Sequence, residues 1–157
     1  MNKTKTILFV CTGNSCRSVL AEGLLKKYLE EKRRNDIRVI SAGTGAVDGF
    51  SPMENTIEVM KKEDVDVSGY KTALVTDEMI KTADLVFVME EFHKDKILER
   101  VPDAKDKTFL LRAFKRESND EPQGGVDVLD PIGRPIRDYE YTLKMIKEEI
   151  EKIIKFL

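Results

Sequence analysis

The sequence predicts an α/β fold: a single domain spanning residues 1–157, in which a four-stranded parallel sheet is flanked by helices on both faces. Three observations lead there. Short β-rich runs alternate with helical stretches along the chain, the signature of strand–helix–strand units. Leu85-Val86-Phe87-Val88-Met89 is apolar at every position, as in a strand covered on both faces. Ile136, Tyr139, Leu143, Ile146, Ile150, Ile153 and Leu157 recur every three or four residues, the period of a helix with one buried face.

The elements follow in order. Residues 7–10 (Ile-Leu-Phe-Val) form a buried first strand, and 19–31 a helix with Leu20, Leu24, Leu25, Tyr28 and Leu29 on one face. Residues 37–41 form a second strand. Ser51-Pro52-Met53-Glu54 reads as a helix start, with Ser51 as cap, Pro52 in the first helical position and Glu54 completing a capping box, for a helix running to about 63. Thr76 opens another short helix with Asp77 and Glu78 in its first turn. After the 85–89 strand, helical residues run to about 100, and 108–111 is the fourth strand. Residues 117–135 are polar and rich in Gly, Pro and Asp, hence a loop of a length associated with function or disorder. The last helix runs from about 136 to 156.

Composition narrows the function classes. Apolar residues make up 41% and charged residues 36%, and 27 basic against 29 acidic side chains give a net charge of -2. There is no basic excess to suggest nucleic acid and no polybasic cluster to suggest a membrane. The apolar run at 7–10 is too short for a signal peptide, and no apolar stretch approaches membrane-spanning length, so a cytoplasmic protein is expected. The two cysteines, Cys11 and Cys16, cannot alone supply a four-ligand zinc site, and a structural disulfide is not expected in a reducing compartment. Neither metal nor cofactor is predicted. What remains is that one of the cysteines reacts.

Cys11 sits where a ligand is expected in such a fold, just beyond the carboxyl end of the first strand. The segment Cys11-Thr12-Gly13-Asn14-Ser15-Cys16-Arg17-Ser18 passes from strand to loop to helix. Its small residues Thr12, Gly13, Asn14 and Ser15 allow a tight turn whose backbone N–H groups converge as an anion-binding nest. The helix that follows adds the positive end of its dipole, and Arg17 a planar fork that binds two phosphate oxygens. This is a phosphate-binding loop after strand 1. The same field favours the Cys11 thiolate. A thiolate at the cradle floor faces phosphorus in line with the leaving group, the geometry of covalent catalysis through a cysteinyl-phosphate. Ser18 can donate a hydroxyl to the sulfur, and Asn14 can take left-handed backbone angles and brace the loop with its amide. A bare C-x5-R match is weak. Its position between a buried strand and an amphipathic helix raises it above a buried cysteine that happens to precede an arginine.

A thiolate needs a general acid to expel a poor leaving group. Asp130, in the long polar loop and followed by the stiffening Pro131, is the best candidate, with Asp127 and Asp120 as rivals in the same loop. Other features read as bland. His93, the only histidine, falls on a helix after Met89-Glu90-Glu91 and reads as a surface residue without a role. Residues 30–34 and 61–64 read as solvated faces, Tyr139 and Tyr141 as core or rim. Phe50 either walls the cleft or simply packs.

These residues resemble the low-molecular-weight protein tyrosine phosphatase family. The loop from Cys11 to Ser18, the Ser41-Ala42-Gly43-Thr44 segment after the second strand and the late Asp130-Pro131 match its pattern in order and approximate spacing, over nearly the whole chain. The resemblance implies a four-stranded parallel sheet, no metal and a phosphocysteine intermediate. It implies Cys11 as nucleophile, Arg17 as phosphate binder, Asp130 as general acid, Ser18 as thiolate-stabilising serine, and Asn14 and Ser41 as loop-bracing residues. Cys16 matches a second loop cysteine that can pair reversibly with the nucleophile under oxidation, the alternative being a packed bystander. The implied partners are phosphorylated proteins as substrates and inorganic phosphate as product.

Two departures bear on the substrate. Tyrosine-specific members carry an aliphatic residue at the position of Ser15 and aromatic residues after the Asp-Pro, where this chain has Ile132 and Gly133. The stretch 127–133 is similar to the bacterial protein arginine phosphatase branch, which has threonine where Ser15 stands. Phosphoarginine is therefore the favoured substrate and phosphotyrosine the alternative. Among rivals, thioredoxin-coupled arsenate reductases share the fold but need further cysteines, and none follows Cys16. A phosphocarrier would not require Arg17 and Asp130. A non-catalytic phosphate-binding protein would not require Cys11 and Asp130.

Overall fold

The computed structural model describes residues 4–117, 119–122 and 124–157. Residues 1–3, at the head of the segment weighed for targeting, and 118 and 123 of the predicted loop lie outside the described residues. The elements are β1 (Lys5–Cys11), α1 (Arg17–Glu31), β2 (Ile37–Gly43), α2 (Glu54–Lys61), α3 (Asp77–Thr82), β3 (Leu85–Val88), α4 (Glu91–Arg100), β4 (Thr108–Leu110) and α5 (Ile136–Ile153). Tight 3-10 turns cover Pro102–Lys107, Leu111–Ala113 and Ile154–Phe156.

All strand pairs are parallel, in the order β2-β1-β3-β4. Phe9 pairs with Ser41 on one side and Phe87 on the other, and Cys11 with Gly43. The chain leaves β1 towards β2, then returns past β1 to build β3 and β4. That reversal opens a crevice at the carboxyl end of β1, where ligands settle in open α/β sheets.

Alternation along the strands explains their unbroken apolar runs. Ile7, Phe9, Cys11, Val39 and Phe87 face one core, filled by α1, α2 and α5 through Leu20, Leu24, Met60, Tyr139, Ile146 and Ile150. Leu8, Val10, Ala42, Val86 and Val88 face the other, filled from α3 and α4 by Ile80 and Ile97. Both faces are thus covered, as the 85–89 run implied. Phe9 and Phe87 stack at 5.7 Å between ring centroids, and Phe114 meets Phe87 edge-on at 5.0 Å, tying β1 and β3 to the turn after β4.

Several boundaries move. α1 begins at Arg17 rather than 19, and β2 extends to Gly43 rather than 41. The Ser51–Glu54 helix start is corrected: α2 begins at Glu54, its cap position is Met53, and no side chain caps it. The reason is tertiary. Met53 N–H and Thr56 Oγ1 both donate to the carbonyl of Ser15, at 3.0 and 2.9 Å, so the start of α2 is fastened to the loop after β1 instead of to its own cap. Thr76 does cap α3, its side chain accepting from Met79 N–H at 3.1 Å.

Candidate active site

The loop after β1 is held from three sides. The two residues just after β2 supply the first hold: Thr44 N–H donates to Cys11 O and Gly45 N–H to Thr12 O, both at 2.9 Å. This close approach requires glycine at 43. A Cβ there would lie 2.3 Å from Thr12 O and 2.9 Å from Asn14 N, both backbone atoms. Gly43→Ala is therefore expected to lower the urea unfolding midpoint, by about 1–3 kcal/mol of stability, and to depress kcat/KM on p-nitrophenyl phosphate by displacing the loop. Gly45→Ala, whose Cβ would meet only Thr12 Cγ2 at 3.7 Å, is the control. Identical behaviour of the two variants would contradict the close-approach argument.

Asn14 supplies the second hold. Its backbone is left-handed, with φ of 53°, an angle that asparagine tolerates. Its Oδ1 accepts from Ala73 N–H at 2.9 Å, which fixes the amide orientation. Nδ2 then donates to Ser18 Oγ at 2.8 Å and to Ser41 Oγ at 2.9 Å. Ser41 in turn donates to the Glu22 carboxylate at 2.5 Å. Because Ser18 Oγ already accepts from Asn14, its own proton is free for Cys11 Sγ, 3.0 Å away. The chain of bonds thus lets Ser18 point a donor at sulfur, the arrangement a thiolate nucleophile needs. Cys11 and Ser18 are both buried.

α4 supplies the third. Arg17 is buried, and its Nη1 donates to Glu90 Oε2 at 2.6 Å and to Val128 O at 2.7 Å. That uses both Nη1 hydrogens and leaves the Nε–Nη2 edge, a planar fork with the geometry to bind two oxygens of one oxyanion. α1 starts with no side-chain cap, so the N–H groups of its first turn remain available to an anion.

The three candidate acids separate clearly. Asp127 Oδ1 accepts from Glu91 N–H at 3.1 Å, and Asp120 pairs with Arg116 at 3.4 Å. Asp130 alone of the three reaches Arg17, its Oδ2 lying 3.7 Å from Nη2. Val128 aims it: its N–H donates to Met89 O at 2.8 Å while its carbonyl accepts from Arg17, pinning the loop two residues before the carboxyl. Asp130 Oδ1 also accepts from Ile132 N–H at 3.1 Å, a turn shaped by Pro131.

Cys11, Thr12, Gly13, Asn14, Ser15, Cys16, Arg17, Ser18, Ser41 and Asp130 are therefore brought together around one loop. Burial pushes the Cys16 thiol up to about 12, so it stays protonated. Phe50 is exposed rather than packed, Tyr139 is core and Tyr141 surface.

The model of the family described as low molecular weight phosphotyrosine protein phosphatase matches residues 6–157. The chain belongs to that family. The expected fold, family and enzyme class, a cysteine-dependent protein phosphatase, therefore hold. A protein-arginine-phosphatase of Geobacillus stearothermophilus is 36% identical over 94% of this chain and 90% of its own. An arsenate reductase of Staphylococcus saprophyticus is 44% identical over 94% of this chain and 95% of its own. A solved structure of the arginine phosphatase YwlE, a cysteine-to-serine variant with a phosphorylated active-site serine, is 31% identical, with a TM-score of 0.86 over 97% of this chain and 95% of that one. Among the described residues of this phosphatase, no helix is long and apolar enough to cross a membrane.

Two residues of the phosphatase site were not anticipated. Glu90 holds Arg17, and His93, read from sequence as a surface residue, is fully buried. His93 Nε2 lies 2.8 Å from Thr12 Oγ1, and Nδ1 lies 3.0 Å from Glu90 N. The surface reading failed because α4 points its first turn, not its exposed flank, at the loop. The available signal was Glu90-x-x-His93 immediately after a buried strand, the spacing of a reciprocal cap, which the structure forms.

Proposed function

We propose that this chain hydrolyses phosphoarginine side chains of proteins, releasing inorganic phosphate and acting as one phosphatase domain over residues 1–157 in a reducing, cytoplasmic compartment. The observation that carries it is the convergence on one loop of Cys11 Sγ, bonded by Ser18 at 3.0 Å, and of Arg17, whose free edge is flanked by Asp130 at 3.7 Å.

In the first step the Cys11 thiolate attacks phosphorus, the S–P bond forms and the bond to the guanidine nitrogen breaks. Asp130 gives that nitrogen its proton. The loop N–H groups and Arg17 hold the three equatorial oxygens as charge spreads over them. In the second step Asp130 takes a proton from water, the water oxygen attacks phosphorus, and Cys11 leaves as a thiolate stabilised by Ser18. Thr12, Gly13, Asn14, Ser15 and Cys16 contribute the cradle, braced by Asn14 and Ser41. Cys16, buried and protonated, does not compete as nucleophile; when an external peroxide oxidises Cys11 to its sulfenic acid, the Cys16 thiol is the partner that condenses with it, forming the disulfide and releasing water.

The substrate choice rests on Ser15 and on the residues after Asp130. A phosphotyrosine ring wants an apolar, aromatic slot, and here the corresponding positions are Ser15, Ile132 and Gly133. A carboxylate beside the leaving group also suits a cationic guanidinium. The arginine phosphatases among the relatives support the same choice. Side-by-side kcat/KM on phosphoarginine and phosphotyrosine peptides is expected to favour phosphoarginine, and Ser15→Ile to move the ratio towards phosphotyrosine by about tenfold, one apolar contact's worth of discrimination. An unchanged ratio would mean that Ser15 is not the filter. Phosphotyrosine hydrolysis remains the second reading, supported by the family's tyrosine phosphatases. The arsenate reductase relative at 44% identity favours a third, but the relay disulfide of that chemistry needs cysteines beyond Cys16, and the chain has two in all.

A further inference from the structure

The first turn of the phosphate loop is gripped by a residue outside it, and the grip is specified atom by atom. Glu90 N–H can only donate, so His93 Nδ1, 3.0 Å away, must accept and carries no proton. The ring proton is then on Nε2, and it is donated to Thr12 Oγ1 at 2.8 Å. Both ring nitrogens are used, and the ring is fully buried with the Phe92 ring 4.1 Å from it.

We propose that His93 is a positioning residue for phosphate binding: its Nε2–H holds the Thr12 side chain and so keeps the first peptide of the loop in its anion-binding orientation.

The peptide between Thr12 and Gly13 is secured at both ends of its first residue. The Thr12 side chain is held from α4 by His93, and its carbonyl is held from the end of β2 by Gly45 N–H at 2.9 Å. No peptide bond in the described chain is cis, and in a trans peptide C=O and N–H point in opposite directions. Anchoring Thr12 O on the Gly45 N–H therefore turns the Gly13 N–H away from Gly45. The grip is permanent because the imidazole stays neutral: burial, reinforced by the Arg17 and Lys96 charges, pushes its pKa down to about 3. A protonated ring would need Nδ1 to donate towards a backbone N–H. The first turn of α4 thus serves both ends of the loop, with the Glu90 carboxylate on Arg17 and the His93 ring on Thr12.

The proposal deepens the phosphatase reading, resting on it for the identity of the anion, and two isosteres separate the roles of the two ring nitrogens. Asparagine at 93 keeps an acceptor at the Nδ1 position for Glu90 N–H but no donor that reaches Thr12. Glutamine keeps a donor at the Nε2 position but loses the acceptor. Calorimetric binding of inorganic phosphate is expected to weaken about tenfold in His93→Asn, with KM rising more than kcat falls and the melting temperature near that of the parent. In His93→Gln, phosphate affinity is expected to stay within about threefold of the parent while the melting temperature drops from the lost cap. Thr12→Val should match His93→Asn, and combining the two should add nothing further. Parent-like phosphate affinity in His93→Asn, or equal losses in the Asn and Gln variants, overturns the proposal. Because the readout is binding, a protein that fails to turn over any phosphorylated peptide yet shows the Asn–Gln split would sink the phosphatase reading and keep this one.

Discussion

Cys11→Ser is expected to lower turnover of p-nitrophenyl phosphate by on the order of 10⁴-fold or more while the protein keeps its fold. The structural disturbance is slight. Serine is the nearest isostere, and its hydroxyl can keep the bond to Ser18 that the sulfur makes at 3.0 Å. The cradle is secured through Asn14, Glu90, His93 and Gly43 rather than through the sulfur, so phosphate should still bind. The chemical loss is large, because a hydroxyl has no base beside it to ionise it and makes a far poorer leaving group in the second step. Initial rates read beside a thermal unfolding curve make the check. Parent-like turnover in a folded Cys11→Ser protein would remove Cys11 as the nucleophile.

Asp130→Asn is expected to cut kcat on phosphopeptides by roughly 10²–10⁴-fold and to cost much less on p-nitrophenyl phosphate. The contrast follows from the role. A peptide leaving group needs a proton as it departs, whereas p-nitrophenolate leaves readily without one. Asparagine preserves the local turn, since its Oδ1 can still accept from Ile132 N–H as Asp130 does at 3.1 Å. The loss can then be assigned to the proton. Asp127→Asn is the matched comparison: that carboxylate accepts from Glu91 N–H and should affect α4 rather than leaving-group dependence. The opposite pattern, with Asp127→Asn carrying the leaving-group sensitivity, would move the acid to Asp127.

Most of the chemistry was legible in the chain because it is local. Cys11 to Ser18 is contiguous, and the run from buried strand to tight turn to helix is written in adjacent residues. The parallel sheet was legible because burial on both faces leaves an apolar run, as in Leu85–Val88. The start of α2 departs from its local signal because Ser51, Pro52 and Glu54 form a sound local cap, while the actual first turn is decided by bonds to the Ser15 carbonyl, 38 and 41 positions away for Met53 and Thr56. The inward direction of His93 is not written in the chain for a related reason. A single histidine on a short helix has no periodicity to reveal its direction, and only the packing of α4 against the loop brings its ring to Thr12, 81 positions earlier.

The sequence by itself thus determined the strand–loop–helix unit and placed Cys11, the proposed nucleophile, and Arg17, the proposed anion holder, on one loop, since near neighbours in the chain remain neighbours in space. The tertiary structure decided which of three aspartates stands at Arg17, that Glu90 and Val128 occupy one edge of the guanidinium and leave the other free, and that His93 faces inward. Those are choices between side chains of equal chemical competence. They are settled by distances that arise only when β1, β3, α4 and the loop before α5 are assembled around a common core.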